Sequence, residues 1–283
     1  MTTLSHFPRH GIARALLRLH RVPLLGWAAL VVAGAAALTR GDELRNAQLL
    51  AWLPCAVAAC LGAALIGREL ERGTATLAWT QSVTPARWLA AKLAVPAAAL
   101  LGGTAALTAL FRWSWLTGPD NGVNRWNSEY FHAAGPVGPA YVLLGLALGA
   151  LAALLTRRTL PAAGLALGGI WLAYHLGDRV RSSLWPANEV RGPWGPELNH
   201  VDQVEFGMIL ESGERASGLD CGAQAAPGDL ATCLADHGAV DFYASIHPTA
   251  HYWPIQLVET AIILTLAAAT TAATFRTLRR RLP

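Results

Sequence analysis

Six stretches of this chain run for 18 to 22 residues with almost no formal charge: residues 22–39, 49–67, 93–111, 139–156, 159–177 and 254–275. Only the last contains a charged side chain, Glu259. About 20 residues of helix, at 1.5 Å each, cross a hydrocarbon core of about 30 Å. A soluble domain has no use for six such runs. Charged residues make up 14% of the 283, whereas soluble proteins carry roughly 25%. The sequence therefore predicts an all-α membrane protein with six transmembrane helices, and it excludes a soluble globular domain.

Charges between the runs orient them, because basic residues concentrate in cytoplasmic loops. With the N terminus inside, the inner pieces hold Arg9, Arg14, Arg18 and Arg21, then Arg68, Arg72, Arg87 and Lys92. They also hold Arg157 and Arg158, and at the end Arg276, Arg279, Arg280 and Arg281; their only acidic residues are Glu69 and Glu71. An even number of spans then places both termini in the cytoplasm. Lys92 is the sole lysine among 22 basic residues, which with the alanine richness suggests a GC-rich bacterial source and a plasma-membrane location. The basic start and first apolar run resemble a signal peptide, but 18 apolar residues exceed the usual core of about 7–15.

Three segments follow. Residues 1–177 are read as an N-terminal interfacial helix and five spans, 178–253 as an extracytoplasmic segment, and 254–283 as the sixth span with a basic cytoplasmic tail. In residues 12–21, Ile12, Leu16 and Leu19 share one helical face and Arg14, Arg18 and Arg21 the opposite one. Such a helix lies in the interface with its arginines against anionic headgroups. Trp113, Trp115, Trp126, Tyr130 and Phe131, between the third and fourth runs, suit the headgroup layer. Gly145-x-x-x-Gly149 and Gly164-x-x-x-Gly168 are candidates for close helix contacts, with lipid-facing positions as the alternative.

Cys221 and Cys233 both fall in the expected external segment, where an oxidising compartment favours a disulfide over two free thiols. Cys55 and Cys60 read as buried in the second span, as small apolar side chains. His247 and His251 stand four apart near Asp241, yet no third close ligand is evident; they read as surface histidines, and no metal site is expected. No Gly-x-Ser-x-Gly elbow is present, which removes a common hydrolase signature.

The segment between the second and third runs carries the most information. It opens with Arg68-Glu69-Leu70-Glu71-Arg72, breaks at Gly73-Thr74, turns at Thr84-Pro85 and re-enters the membrane at Lys92. Thr84 is suited to cap the re-entering helix, with Pro85 at its first position. The result is a short, stiff elbow joining two spans.

In this elbow the chain resembles the ABC-2 type transporter permease family, whose members carry Arg-Glu-x-x-x-Gly-Thr after the second span; Arg68, Glu69, Gly73 and Thr74 match it. Pro85, Arg87 and Lys92 match the return into the third span. Tyr252-Trp253-Pro254 with Glu259, and the basic turn between spans four and five, resemble actinobacterial members. The resemblance implies an exporter subunit without catalytic residues of its own. Arg68, Glu69, Glu71, Arg72, Gly73 and Thr74 would couple it to a cytosolic ATP-binding-cassette ATPase, which would bind the ATP and Mg. It also implies pairing as a homodimer or with a sister permease. Lys92, between Ala91 and Leu93, cannot form the Gly-Lys-Ser/Thr of a phosphate-binding loop.

Glu259 is the remaining candidate. A charge at mid-membrane costs about 2.5–3.5 kcal/mol on insertion scales, which makes such a residue a functional hypothesis by default. It lies five residues past Pro254, so a gating or substrate-path role competes with anchoring at the interface. A receptor or assembly scaffold, binding an external ligand through residues 178–253, is the alternative to the exporter. Nothing in the composition points to nucleic acid.

Overall fold

The computed structural model describes residues 21–39, 42–73, 84–117, 124–192, 201–216, 232 and 235–280. The helices among the described residues are α1 (Arg21–Leu38), α2 (Glu43–Glu71), α3 (Pro85–Thr117), the short α4 (Ser128–Ala134), α5 (Val137–Thr156), α6 (Thr159–Val180) and α7 (Tyr252–Arg280). All but α4 are long and apolar enough to cross a membrane, so the chain is a multi-pass membrane protein. The interfacial helix expected over residues 12–21 lies outside the described residues, apart from Arg21, which opens α1.

Local chemistry sets several boundaries. Asp42 caps α2, its carboxylate accepting the Leu44 N–H at 2.9 Å. Thr84 caps α3 through its hydroxyl, which accepts the Arg87 N–H at 3.4 Å, and Pro85 begins the helix. Gly73 follows α2 with φ of 67°, a left-handed conformation that glycine adopts without a Cβ penalty.

The chain divides into two compact units. The helical unit comprises residues up to 120, 128–177 and 256 onward. Its centre is the crossing of α2 and α5. A Cβ added at Gly149 would sit 2.2 Å from the Ala59 carbonyl oxygen; one at Gly62 would sit 2.3 Å from that of Leu146. Glycine at both positions lets the two backbones touch, as expected for small-residue packing in membranes. Gly145 joins this contact against Cys55, whereas Gly164 and Gly168 on α6 have nothing within 4 Å. Among the described residues one of the two glycine motifs makes a helix contact and the other makes none.

The sequence expectations for the aromatic group after the third run and for Cys60 need correction. Tyr130 and Phe131 are not headgroup-layer aromatics: α4 carries both into the interior, where neither is exposed at all. Trp126 is buried as well and Trp115 is half-buried, whereas Trp113, 64% exposed, keeps the surface character expected of the group. Cys60 is exposed on α2 while Cys55 is buried.

The second unit comprises residues 121–127 and 178–255. Residues 178–253 carry no legible fold in the sequence; in the structure they hold an antiparallel sheet. Its strands are β1 (Asn188–Gly192), β2 (Asp202–Leu210), β3 (Arg215–Ala216) and β4 (Ala239–His247), in the order β1-β4-β2-β3. Gly207 pairs with Tyr243, and a Cβ at Gly207 would lie 2.6 Å from the Tyr243 ring. The tyrosine therefore lies over a glycine across the strand pair, an arrangement that shields exposed backbone.

Candidate functional site

The elbow is built from the end of α2 and the start of α3. Glu69 forms an ion pair with Lys92, which is buried beneath it and lies 5.4 Å from the Trp88 ring centre. The ion pair offsets the cost of taking the lysine charge out of water. Glu71 reaches the next helical connection instead: its carboxylate accepts the Thr159 N–H at 2.7 Å and the Thr159 hydroxyl at 3.1 Å. A carboxylate at a helix N terminus satisfies an orphan N–H and meets the positive end of the helix dipole. Both acidic residues of the elbow thus hold its shape.

The arginines do the opposite. Arg68 and Arg72 are exposed, as are Arg87, Arg157, Arg158, Arg276, Arg279 and Arg280. Beneath them Ile66, Trp88, Leu89, Leu154, Ala162 and Leu278 form one buried cluster. This end of the helical unit is an apolar plug capped by outward-facing guanidinium groups. Thr74, the last residue of the matched motif, lies outside the described residues.

Glu259 sits elsewhere in the same unit and is neither snorkelling nor anchored at a surface. It is 2% exposed, with Oε1 3.5 Å from His132 Nε2 and 3.4 Å from the Tyr141 hydroxyl. His132 Nδ1 is 2.7 Å from the Ser128 carbonyl. That carbonyl can only accept, so Nδ1 carries a proton and Nε2 faces the carboxyl. The Glu259 carboxyl thus lies within reach of the His132 ring and the Tyr141 hydroxyl, and polar partners of this kind are what make a buried carboxyl tolerable away from water.

Aromatic rings enclose the pair. Tyr174 stacks on His132 with centroids 4.0 Å apart, and Trp52 lies 4.2 Å beyond. Ser128 Oγ donates to the Tyr174 hydroxyl at 3.1 Å, and Tyr141 donates to the Ala173 carbonyl at 3.2 Å. One turn before Glu259, Gln256 donates to the Phe131 carbonyl at 2.6 Å. Gly135 and Gly177 leave the room: a Cβ at Gly135 would strike Gln256, and one at Gly177 would lie 2.4 Å from the Tyr141 hydroxyl. The cluster ties α7 to α4, α5 and α6. Sequence reasoning found Glu259 but not His132, Tyr141 or Tyr174.

In the sheet unit, His247 is completely buried, contrary to the surface position expected. Its Nε2 donates to the Ser182 carbonyl at 2.9 Å, and its Nδ1 lies 3.2 Å from Nδ1 of His251. Among the described residues no three His, Cys, Asp or Glu converge on a metal position. Asp202, opposite His247 in the sheet, has its carboxyl pushed above the usual range by burial, against the opposing pull of His247 and Arg181. On the sheet surface Arg191 and Arg215 both donate to Glu189 and hold its carboxyl below the usual range. The disulfide expected between Cys221 and Cys233 falls on residues outside the described ones.

A family model described as ABC-2 membrane transporter related matches residues 24–180, just over half of the chain. The matched region begins in α1, takes in the elbow and the α2–α5 crossing, and ends with α6. No curated protein and no solved structure matches the chain.

Proposed function

The chain belongs to the ABC-2 membrane transporter related family, and from that premise we propose that it is the membrane-spanning subunit of an ATP-driven exporter. A separate ATPase supplies the energy and docks on the arginine-capped end of the helical unit, which in this reading faces the cytoplasm. Transport across a membrane by a permease of this family is the part the family membership carries by itself.

The observation that carries the docking surface is the division of labour in the elbow. Glu69 and Glu71 are committed to Lys92 and Thr159, whereas Arg68 and Arg72 point outward beside them. A partner meets the arginines, and the carboxylates keep the elbow in shape to present them. The Glu259 cluster is a gate latch in this reading, because moving α7 requires breaking its contacts with His132 and Tyr141. A six-helix unit lines half of a path, so a second copy or a sister permease completes it.

Affinity purification from native membranes, followed by an ATPase assay of the eluate, tests the proposal. An ATPase that co-purifies and is lost in Arg68→Glu/Arg72→Glu, with the thermal midpoint of the permease unchanged, supports it. No ATPase under mild detergent favours a receptor or scaffold acting through the sheet unit.

A further inference from the structure

A groove of about 680 Å³ runs between α3, α5 and α7 in the helical unit. Ala90, Ala94, Ala147, Ala268 and Phe275 are among its walls, and Thr271 brings the only hydroxyl. Alanines on three helices cannot fill the space that separates the helix axes, so an apolar trough remains. It is larger than the apolar cavities of about 150 Å³ that take up benzene.

One mouth of the trough is charged. Arg87 lies three residues before Ala90, Arg276 four after Ala272, and Arg279 four after Phe275, all three starting points being wall residues. Residues three or four apart share a helix face, so these arginines continue the lining faces of α3 and α7 beyond the trough. All three are exposed. Trp88, Leu89, Leu93, Phe275 and Leu278 pack together here, which places both sets of arginines at the same end. The two elbow carboxylates are turned to Lys92 and Thr159 instead.

We infer that this groove binds an anionic phospholipid, with an acyl chain in the alanine trough and the phosphate against Arg87, Arg276 and Arg279. Basic pockets between membrane helices take such headgroups. A helix from a second copy fits less well. In the same orientation it would bring Arg68, Arg72, Arg157 or Arg158 to the level of these arginines and set like charges together. The site requires no ATPase and stands apart from the exporter reading.

Native mass spectrometry of the purified full chain, titrated with phosphatidylglycerol or phosphatidylcholine, tests the inference. Each arginine near a headgroup is worth about a fivefold preference, so phosphatidylglycerol should be retained at least about tenfold more tightly. Arg87→Gln/Arg276→Gln/Arg279→Gln should bring the two lipids near equality, while lysine at the same positions keeps most of the preference. Ala94→Phe/Ala268→Phe, at exposed positions of the wall, should weaken both lipids without lowering the thermal midpoint. Inorganic phosphate should fail to compete. Equal retention of the two lipids by the unaltered protein, or a preference that survives the glutamine variant, would overturn the assignment. So would a phenylalanine variant that changes the assembly mass instead of the lipid count, since the groove would then hold a helix.

Discussion

Glu71 and Thr159 are 88 residues apart in sequence, yet the carboxylate of one caps the helix that the other begins, with bonds of 2.7 and 3.1 Å. The end of α2 is thereby fixed to the start of α6. Glu71→Ala should lower the thermal midpoint, and Thr159→Val should lower it less, because the backbone N–H bond survives. The double variant should be about as stable as Glu71→Ala alone, because the hydroxyl bond that valine removes is already lost with the carboxylate. A double-mutant cycle on thermal melts in detergent checks this; additive effects would mean the two residues act separately.

The Glu69–Lys92 pair predicts an asymmetry. Glu69→Ala leaves a buried ammonium without its carboxylate, beside the Trp88 ring, whereas Lys92→Met removes the charge and keeps an apolar stem. Full burial would make the first change cost about 3–5 kcal/mol; with the Glu69 side chain 29% exposed, about 1–3 kcal/mol is expected. Lys92→Met should cost less than Glu69→Ala, and chemical unfolding of both variants measures the order.

Glycine substitutions should separate the two motifs. Gly149→Ala drives a Cβ into the Ala59 carbonyl and should destabilise by about 1–3 kcal/mol, the usual range for overpacking. Gly164→Ala meets open space and should be neutral or slightly favourable. Equal effects in the two variants would remove the α2–α5 contact from the account of stability.

For Glu259, glutamine keeps an acceptor for Tyr141 and should preserve folding, while leucine removes the acceptor shared by His132 and Tyr141. Glu259→Leu should lower the thermal midpoint further than Glu259→Gln, because it sets an apolar side chain against the His132 ring nitrogen and the Tyr141 hydroxyl. If Glu259 latches a gate, Glu259→Gln should still fold but show altered transport by reconstituted protein.

The sheet unit should respond to acid. Hydrogen bonds from Arg191 and Arg215 lower the Glu189 pKa in the folded chain, so the folded state holds that proton less tightly than the unfolded one. The stabilisation is full above the ordinary Glu value of about 4.3 and is lost as pH falls through the lowered folded value. Glu189→Gln should flatten this part of the pH dependence. Thermal melts across the acid range, followed by circular dichroism at wavelengths reporting strand, check it.

Six spans were legible because each is a long uncharged run, and no other structure uses such runs so economically. Helix ends were less so: α3 extends from Pro85 to Thr117 where the apolar run covers 93–111, since helices continue past the hydrocarbon into polar sequence. The elbow was visible through its motif, yet not the roles inside it, because Glu71 bonds a residue in another helical connection. The His132–Glu259 pair left no local trace. Its members lie on different elements, and the seven residues of α4 are too few to show a period. The strands of residues 178–253 were hidden by Gly, Pro and charged residues, and their pairing joins distant parts of that segment.

The contact of α2 with α5 has a mechanical meaning. At Gly62 and Gly149 backbone meets backbone with no room for even a methyl group, so no layer of side chains lies there to yield, repack or absorb a displacement. Over 29 residues α2 is about 44 Å long. In the proposed exporter, a push delivered at the Glu71 end would be passed along both helices with little backlash.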